Sequence, residues 1–282
     1  MDLTEVYGRV VENAQDVPIR LCFTSAGTKE ARVHGFLLPP HTRFLLSDLT
    51  YGLGPLIPAR CLDHHRYQLI VMDPPILNAS VGRGGQYKCL DPYDLFALPI
   101  RQLLAPGGLL AIWLTNRPRI HRIVQTKLFP AWGNLALVGH WHWLKVTRSG
   151  EPVVPFHHGR RKPYEVLLLA RAPPRLSSED QTQGEEETLP YHHVLVSVPS
   201  NRHSRKPPLE HLLDPHLPPS TPDQDSPRYL ELFARSLTRG WTSWGNECLR
   251  FQDEQFYYST LPSSPDPPPQ TTVITPGEMD SP

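Results

Sequence analysis

Tyr67-Gln68-Leu69-Ile70-Val71-Met72-Asp73-Pro74-Pro75-Ile76 is the stretch from which the fold can be read. Leu69-Ile70-Val71-Met72 is an unbroken apolar run, the pattern of a strand covered on both faces in a parallel sheet. Asp73 follows where that strand leaves the core, on the carboxyl edge of the sheet, where open α/β folds bind their ligands. Pro74 and Pro75 have no N–H and a fixed φ, so a central strand cannot continue through them. The sequence therefore predicts a stiff turn whose carbonyls point outward and stay free as acceptors beside a carboxylate.

Such acceptors suit one chemistry. The exocyclic amine of adenine is a poor nucleophile because its lone pair is delocalised into the ring. Asp73 and the Pro74 carbonyl can each accept one of its N–H groups, localise the lone pair and aim it at an electrophilic methyl group. The plainer alternative is a strand-ending turn with a solvated Asp, and three residues do not decide between them.

Working outward, the 282 residues suffice for one large domain with tails. Basic and acidic residues balance at 28 each, so contact with nucleic acid must rest on local patches. No apolar run is long enough to span a bilayer, and Met1-Asp2-Leu3-Thr4-Glu5 lacks a signal-peptide pattern, so no membrane role is expected. Cys22, Cys61, Cys89 and Cys248 show no CxxC spacing, which predicts no metal site and no disulfide framework, as in a reducing compartment. The 33 prolines cluster in short polar stretches that mark loops.

Residues 1–30 carry little pattern. Strands are expected over 31–38, 43–48, 109–114, 135–146, 164–170, 193–198 and 229–233. Asp91-Pro92-Tyr93-Asp94 opens a helix, with an N-cap Asp and Pro in the first turn, and Pro99 breaks it in two. A further helix begins near Pro118 and carries Arg117, Arg119, Arg122 and Lys127. The Gly-bearing loop over 78–88 matches no phosphate-binding motif and reads as a mobile cover. Its Arg83, Tyr87 and Lys88 can touch a phosphate or base, and Arg160-Arg161-Lys162 can grip phosphates. Alternation puts Trp141 and Trp143 on one strand face, as core or as a stacking platform. Residues 172–188, 214–227 and 259–282 read as disordered.

Five stretches in this order resemble one family. They are Arg43-Phe44-Leu45-Leu46-Ser47-Asp48, Asp73-Pro74-Pro75-Ile76, Trp141-His142-Trp143-Leu144-Lys145, His203-Ser204-Arg205-Lys206-Pro207-Pro208, and Glu231-Leu232-Phe233-Ala234-Arg235 with Gly240-Trp241-Thr242-Ser243-Trp244-Gly245-Asn246-Glu247. Together they resemble the messenger-RNA N6-adenosine methyltransferases, most closely the methyltransferase-like protein 4 branch, over about residues 30–258. The resemblance implies an α/β, Rossmann-like class I methyltransferase fold: a mostly parallel central sheet, helices on both faces, and a circularly permuted order with the Asp-Pro-Pro strand before the Glu-Leu-Phe strand. It implies S-adenosyl-L-methionine as cofactor, near Asp48, Leu49, Asp73, Lys145, Glu231, Arg235, Ser236, Asn246 and Glu247. It implies methyl transfer to the N6 amine of adenine in RNA, small nuclear or messenger and including 2′-O-methylated adenosine, or in DNA. Asp73, Pro74, Pro75 and Ile76 would form the catalytic turn. Tyr87, Lys88, Arg160, Arg161, His203, Ser204 and Lys206 would face the substrate. The nucleus or cytosol is the expected location, with a protein partner in view.

The chain departs from the family at Ile76, where the pattern has an aromatic residue, and at Ser236, where the closest branch has an amide. A ring at position 76 would stack on adenine, an interaction of roughly 1–3 kcal/mol. Ile supplies apolar contact without it. A pseudo-methyltransferase that binds nucleic acid or protein without turnover is therefore the alternative, and an unrelated α/β enzyme or interaction protein is the third.

Overall fold

The computed structural model describes residues 3–24, 33–49, 66–76, 90–159, 161–174, 188–200, 205–219 and 228–258. Its strands in chain order are β1 (Val10–Asn13), β2 (Ile19–Thr24), β3 (Val33–Leu38), β4 (Thr42–Leu46), β5 (Tyr67–Met72), β6 (Leu104–Leu114), β7 (Ala136–Lys145), β8 (Tyr164–Arg171), β9 (His192–Ser197), β10 (Tyr229–Leu232) and β11 (Trp241–Gly245). The chain divides into two compact units, residues 1–64 with 224–282, and residues 65–223.

In the first unit β4 pairs in parallel with β11, and β11 in parallel with β10, while β1 runs antiparallel to β4. β2 and β3 form a separate antiparallel pair. Residues 3–24, which show little pattern in the sequence, thus supply a short helix (Leu3–Val6) and two strands. Val6, Val11, Leu21, Phe23, Phe36, Phe44 and Leu249 join one apolar core there. Asn13 is buried in it because its amide is used up: Nδ2 donates to the carbonyls of Val17, Leu38 and Pro39, and Oδ1 accepts from the Gln15 N–H.

In the second unit β5 and β6 are parallel, β8 is antiparallel to both β6 and β7, and β9 is parallel to β7. The apolar runs are buried as their unbroken pattern requires: Leu69, Ile70 and Met72 in β5, and all of 109–114 in β6. β6 starts at Leu104, five residues earlier than its apolar run, because the helix Ile100–Leu103 stops ahead of Pro106. Asp91 caps the 3₁₀ turn Pro92–Ala97 in a reciprocal box with Asp94, and Pro99 separates that turn from Ile100–Leu103. The helix from Pro118 continues to Ala131 through a π turn at Val124–Leu128. Trp141 and Trp143 are buried, which decides for core packing over a stacking platform. Outside the separate β2–β3 pair, parallel pairings outnumber antiparallel ones four to three among those described, in keeping with a mainly parallel α/β methyltransferase-like sheet, and β5 precedes β10 in sequence, the permuted order. The expected disordered stretches fall outside the described residues, apart from 172–174, 188 and 214–219, and within the last of these Asp214–His216 is ordered as a 3₁₀ turn, contrary to expectation. No helix among the described residues is long and apolar enough to cross a membrane.

One ion pair ties β2 to the segment after β11. Arg20 Nε and Nη2 donate to Glu254 Oε2 and Oε1 at 2.6 and 2.7 Å. The Arg20 hydrogen bond holds the Glu254 carboxyl below its ordinary value of 4.5. A depressed carboxylate pKa adds stability above the ordinary value and loses it as pH falls through the folded one. Arg20→Ala should therefore lower stability by about 1 kcal/mol at pH 7. In urea titrations that difference should shrink as pH falls below 4.5; a difference constant with pH would refute the assignment.

Candidate active site

Asp73 directly follows β5, and Glu165 is the second residue of β8. Met72 pairs with Ile112, and Leu114 with Val166, so the carboxyl end of β5 and the start of β8 meet at one sheet edge. Two carboxylates at one edge need a cation, and Lys206 supplies it. Its Nζ donates to Asp73 Oδ2 at 2.5 Å and lies 3.2 Å from Glu165 Oε2. Lys145, the last residue of β7, donates to Glu165 Oε1 and lies over the Trp143 ring, 4.6 Å from its centroid. The floor beneath is aromatic: Trp113 and Trp143 stand edge to face at 5.9 Å, with Lys206 6.0 Å from the Trp113 ring. Trp143 Nε1 donates to Ser197 Oγ at 2.8 Å, which fixes its indole.

Charge and burial oppose each other here. Protein surrounds the Asp73 carboxyl on most sides although a third of its side chain is open, and this burial raises its pKa despite the pull of Lys206. Burial also works against charge on Glu165, but Lys206 and Lys145 outweigh it and hold that carboxyl low. Lys206 is raised for the converse reason: Asp73 and Glu165 overcome the cost of burying its ammonium.

The turn itself differs from expectation in one respect. The Pro74 carbonyl accepts from the Ile76 N–H at 2.7 Å, and the Pro75 carbonyl from Leu90 at 2.9 Å. An i to i+2 bond closes a γ turn, which is how the chain reverses after two prolines. Each carbonyl thus keeps one lone pair rather than two. Ile76 bridges to Leu90 in parallel and is buried, so it packs beneath the turn instead of offering a face to a base.

In the first unit the expected cofactor residues cluster at the ends of β4, β10 and β11. The Asp48 N–H donates to the Tyr7 hydroxyl at 3.1 Å, and Leu49 is buried, which leaves its backbone as its contribution. Phe233, just past β10 and after Glu231, takes a positive φ of 61°, a strained conformation for an aromatic residue. A Cβ at Gly245 would lie 2.8 Å from the Ala234 carbonyl oxygen, so only glycine lets these two chain segments come this close. Arg235 and Glu247, both expected to face the cofactor, pair with each other at 3.2 Å, and Glu247 also takes Arg250 at 2.6 Å. Ser236 is half-buried beside Arg235 and Asn246 is exposed. Trp244 is buried and its Nε1 donates to Ser47 Oγ at 2.7 Å.

Lys206 was expected at the substrate; the structure pairs it with Asp73. Arg161 is exposed on the loop after β7. Tyr87, Lys88, Arg160, His203 and Ser204 lie outside the described residues. Sequence reading did not single out Glu165; the signal available was a lone acid opening an otherwise apolar strand. No group of metal-ligating side chains occurs among the described residues.

The MT-A70 family model matches residues 67–247. The human N(6)-adenine-specific methyltransferase METTL4 is 39% identical over 256 residues, covering 90% of this chain and 50% of its own length. The N6-methyladenosine RNA methyltransferase MTA1 of Pyricularia oryzae is 36% identical, over 86% of this chain and 62% of its own. A DNA N6-methyl methyltransferase of Caenorhabditis elegans is 34% identical, over 83% and 57%. The chain spans about half the length of the METTL4 proteins it matches.

Two predictions follow from the charge network and the close approach. Lys206→Met should raise the Asp73 carboxyl pKa and Glu165→Gln should lower it, both read from the carboxyl carbon resonance in an NMR pH titration; shifts of the reverse sign would refute the network. Gly245→Ala should cost about 1–3 kcal/mol of stability by overpacking, and an unchanged unfolding midpoint would show that the two segments separate freely. With the motifs, the mixed but mainly parallel sheets and the acid at the end of β5 in place, the chain belongs to the MT-A70 family.

Proposed function

We propose that this chain transfers a methyl group from S-adenosyl-L-methionine to the N6 amine of adenine in RNA. The observation that carries the reading is Asp73: a carboxylate on a two-proline turn at the carboxyl end of a buried strand, with one oxygen, Oδ2, held by Lys206. A carboxylate has about four acceptor sites, so Oδ1 is left to accept an amine N–H. The remaining lone pair of the Pro74 carbonyl suits the second N–H. Together they draw the nitrogen lone pair out of conjugation with the ring and aim it. After transfer the nitrogen carries a proton to shed, and a carboxyl of raised pKa is a competent first acceptor. Lys206 and Glu165 balance the charge as that proton arrives.

The first unit fits the cofactor. The Gly245 approach and the strained Phe233 shape a tight strand-end turn, and Asn246 and the Glu247 carboxylate beside it suit ribose hydroxyls and adenine edges. When bound, S-adenosyl-L-methionine would supply the electrophilic methyl. The names of the METTL4 and MTA1 relatives support adenine as the target, and MTA1 favours RNA. A nuclear or cytosolic location, and a protein partner that helps dock the nucleic acid, go with this reading. A second reading, binding without turnover, draws on Ile76: it is buried where the family pattern has a ring, so stacking on the target base is lost.

Incubation of the purified chain with labelled S-adenosyl-L-methionine and short adenine-containing RNA or DNA strands should label the RNA. Asp73→Asn should reduce transfer by about 100-fold or more while calorimetry shows cofactor binding retained. Binding of cofactor and RNA with no transfer by the parent chain would establish the second reading. Absence of cofactor binding would overturn both.

A further inference from the structure

The second unit carries a recess at the strand edge opposite Asp73. Arg66 immediately precedes β5, Leu104 opens β6, and Ala172 follows β8, so the register brings all three to one edge. The six residues of β5 separate Arg66 from Asp73, about 23 Å over the steps of ~3.3 Å between them. Arg66, Arg101, Leu104, Trp132, Gly133 and Ala172 line a cavity of about 190 Å³. At ~30 Å³ per water, that holds several waters or one tetrahedral oxyanion with its hydration.

Three residues lining this recess carry side-chain donors with no protein acceptor among the described residues. Trp132 is 2% exposed, and its indole Nε1 has no hydrogen-bond partner among the described residues. A buried N–H left unmatched is unfavourable, and native proteins match nearly all of them. Arg66 and Arg101, both exposed, enter no ion pair among the described residues. Gly133 takes a φ of 108°, and a Cβ there would lie 3.3 Å from Arg101 Cγ, so the Arg101 stem lies directly against this bare backbone. An apolar ligand would leave the buried indole N–H unmatched and would not use the two guanidinium charges. A cation would be repelled. A planar carboxylate has two oxygens for these three donor groups, whereas a phosphate has enough oxygens for each, and guanidinium groups bind it in a forked geometry.

We propose that this recess is a phosphate-binding site, held by Arg66, Arg101 and the Trp132 indole N–H, and separate from the methyl-transfer site. The phosphate can be a free monoester or inorganic ion, or a phosphodiester of a nucleic acid strand that reaches this edge. The inference does not depend on the proposed methyl transfer, because none of its three donors is placed in that chemistry.

The test reads the site itself. In the ¹⁵N-labelled full chain, the Trp132 indole resonance is assigned by its loss in Trp132→Phe. Titration with inorganic phosphate at constant ionic strength should move that resonance saturably, with half-saturation at about 1 mM or below. The doubly substituted Arg66→Gln, Arg101→Gln chain, checked for an unchanged unfolding midpoint, should bind about tenfold or more weakly. An RNA strand without terminal phosphates serves as the second ligand. Movement of the same resonance at lower strand concentration assigns the site to a phosphodiester, and movement with inorganic phosphate alone assigns it to a free phosphate. No movement with either ligand, an equal movement with sodium chloride, or an undiminished response in the double variant would overturn the proposal.

Discussion

Asp73 and Glu165 could not sit at one sheet edge without the ammonium of Lys206 between them. Two carboxylates brought together from neighbouring strands repel, and burial penalises each further. A shared cation turns that repulsion into a network, and Lys145 extends it at the far side of Glu165. Removing one member of a buried ion network leaves its partner charged and unsolvated, at a cost of about 3–5 kcal/mol. Lys206 keeps only 16% of its side chain exposed, so water does little to relieve that cost. Much of the local architecture serves this arrangement: the antiparallel β8 brings Glu165 to the edge where β5 ends, β7 ends on Lys145, and the chain returns through 205–209 to deliver Lys206.

Under the proposed function the same network would set the chemistry. A carboxylate bound by an ammonium on one oxygen and open on the other is both oriented and tuned. Were Asp73 fully solvated, its orientation would be lost; were it fully neutralised, it would be a weak acceptor. The raised pKa of Asp73 beside the lowered pKa of Glu165 divides the pair into a group able to take a proton and one that stays charged. Which carboxylate does which follows from the count of cations: Glu165 touches two lysines and Asp73 one.

Much of this was legible in the sequence. The apolar run of β5, the break at Pro74-Pro75, the Asp91 cap, the interruption at Pro99 and the shared face of Trp141 and Trp143 are all local signals, and each appears where its physics puts it. The lost signals were non-local. Lys206 lies 133 residues from Asp73 in sequence, and no periodicity records that the chain comes back to it. Glu165 looked like any solvated acid at a strand start, because its neighbours come from β7 and from 205–209. The β11 strand Trp241–Gly245 was read as a motif and not as a strand, since its Thr and Ser obscure the apolar pattern of a segment buried throughout. The free carbonyls expected at the two prolines were a misreading of a stiff turn: stiffness came with internal hydrogen bonds.

That last point bears on Ile76. The γ turn that ties its N–H to the Pro74 carbonyl also carries the residue back toward Leu90, where the backbone pairs and the side chain is buried. A residue held this way contributes to the site by fixing the turn, and a β-branched side chain suits it because its rotamers are few. An indole in the same backbone conformation would have to displace buried neighbours or swing outward over the carboxylate. The γ-turn bond and the bridge to Leu90 are backbone interactions, so on the proposed function loss of the ring removes one way of positioning a base without loosening the turn. Under the proposed function the adenine would be held by other groups, because the floor at hand, Trp113 and Trp143, is too deeply buried to stack on it. Under the proposed function, base placement would fall to the polar groups that reach the nucleobase edge, with Asp73 foremost among them.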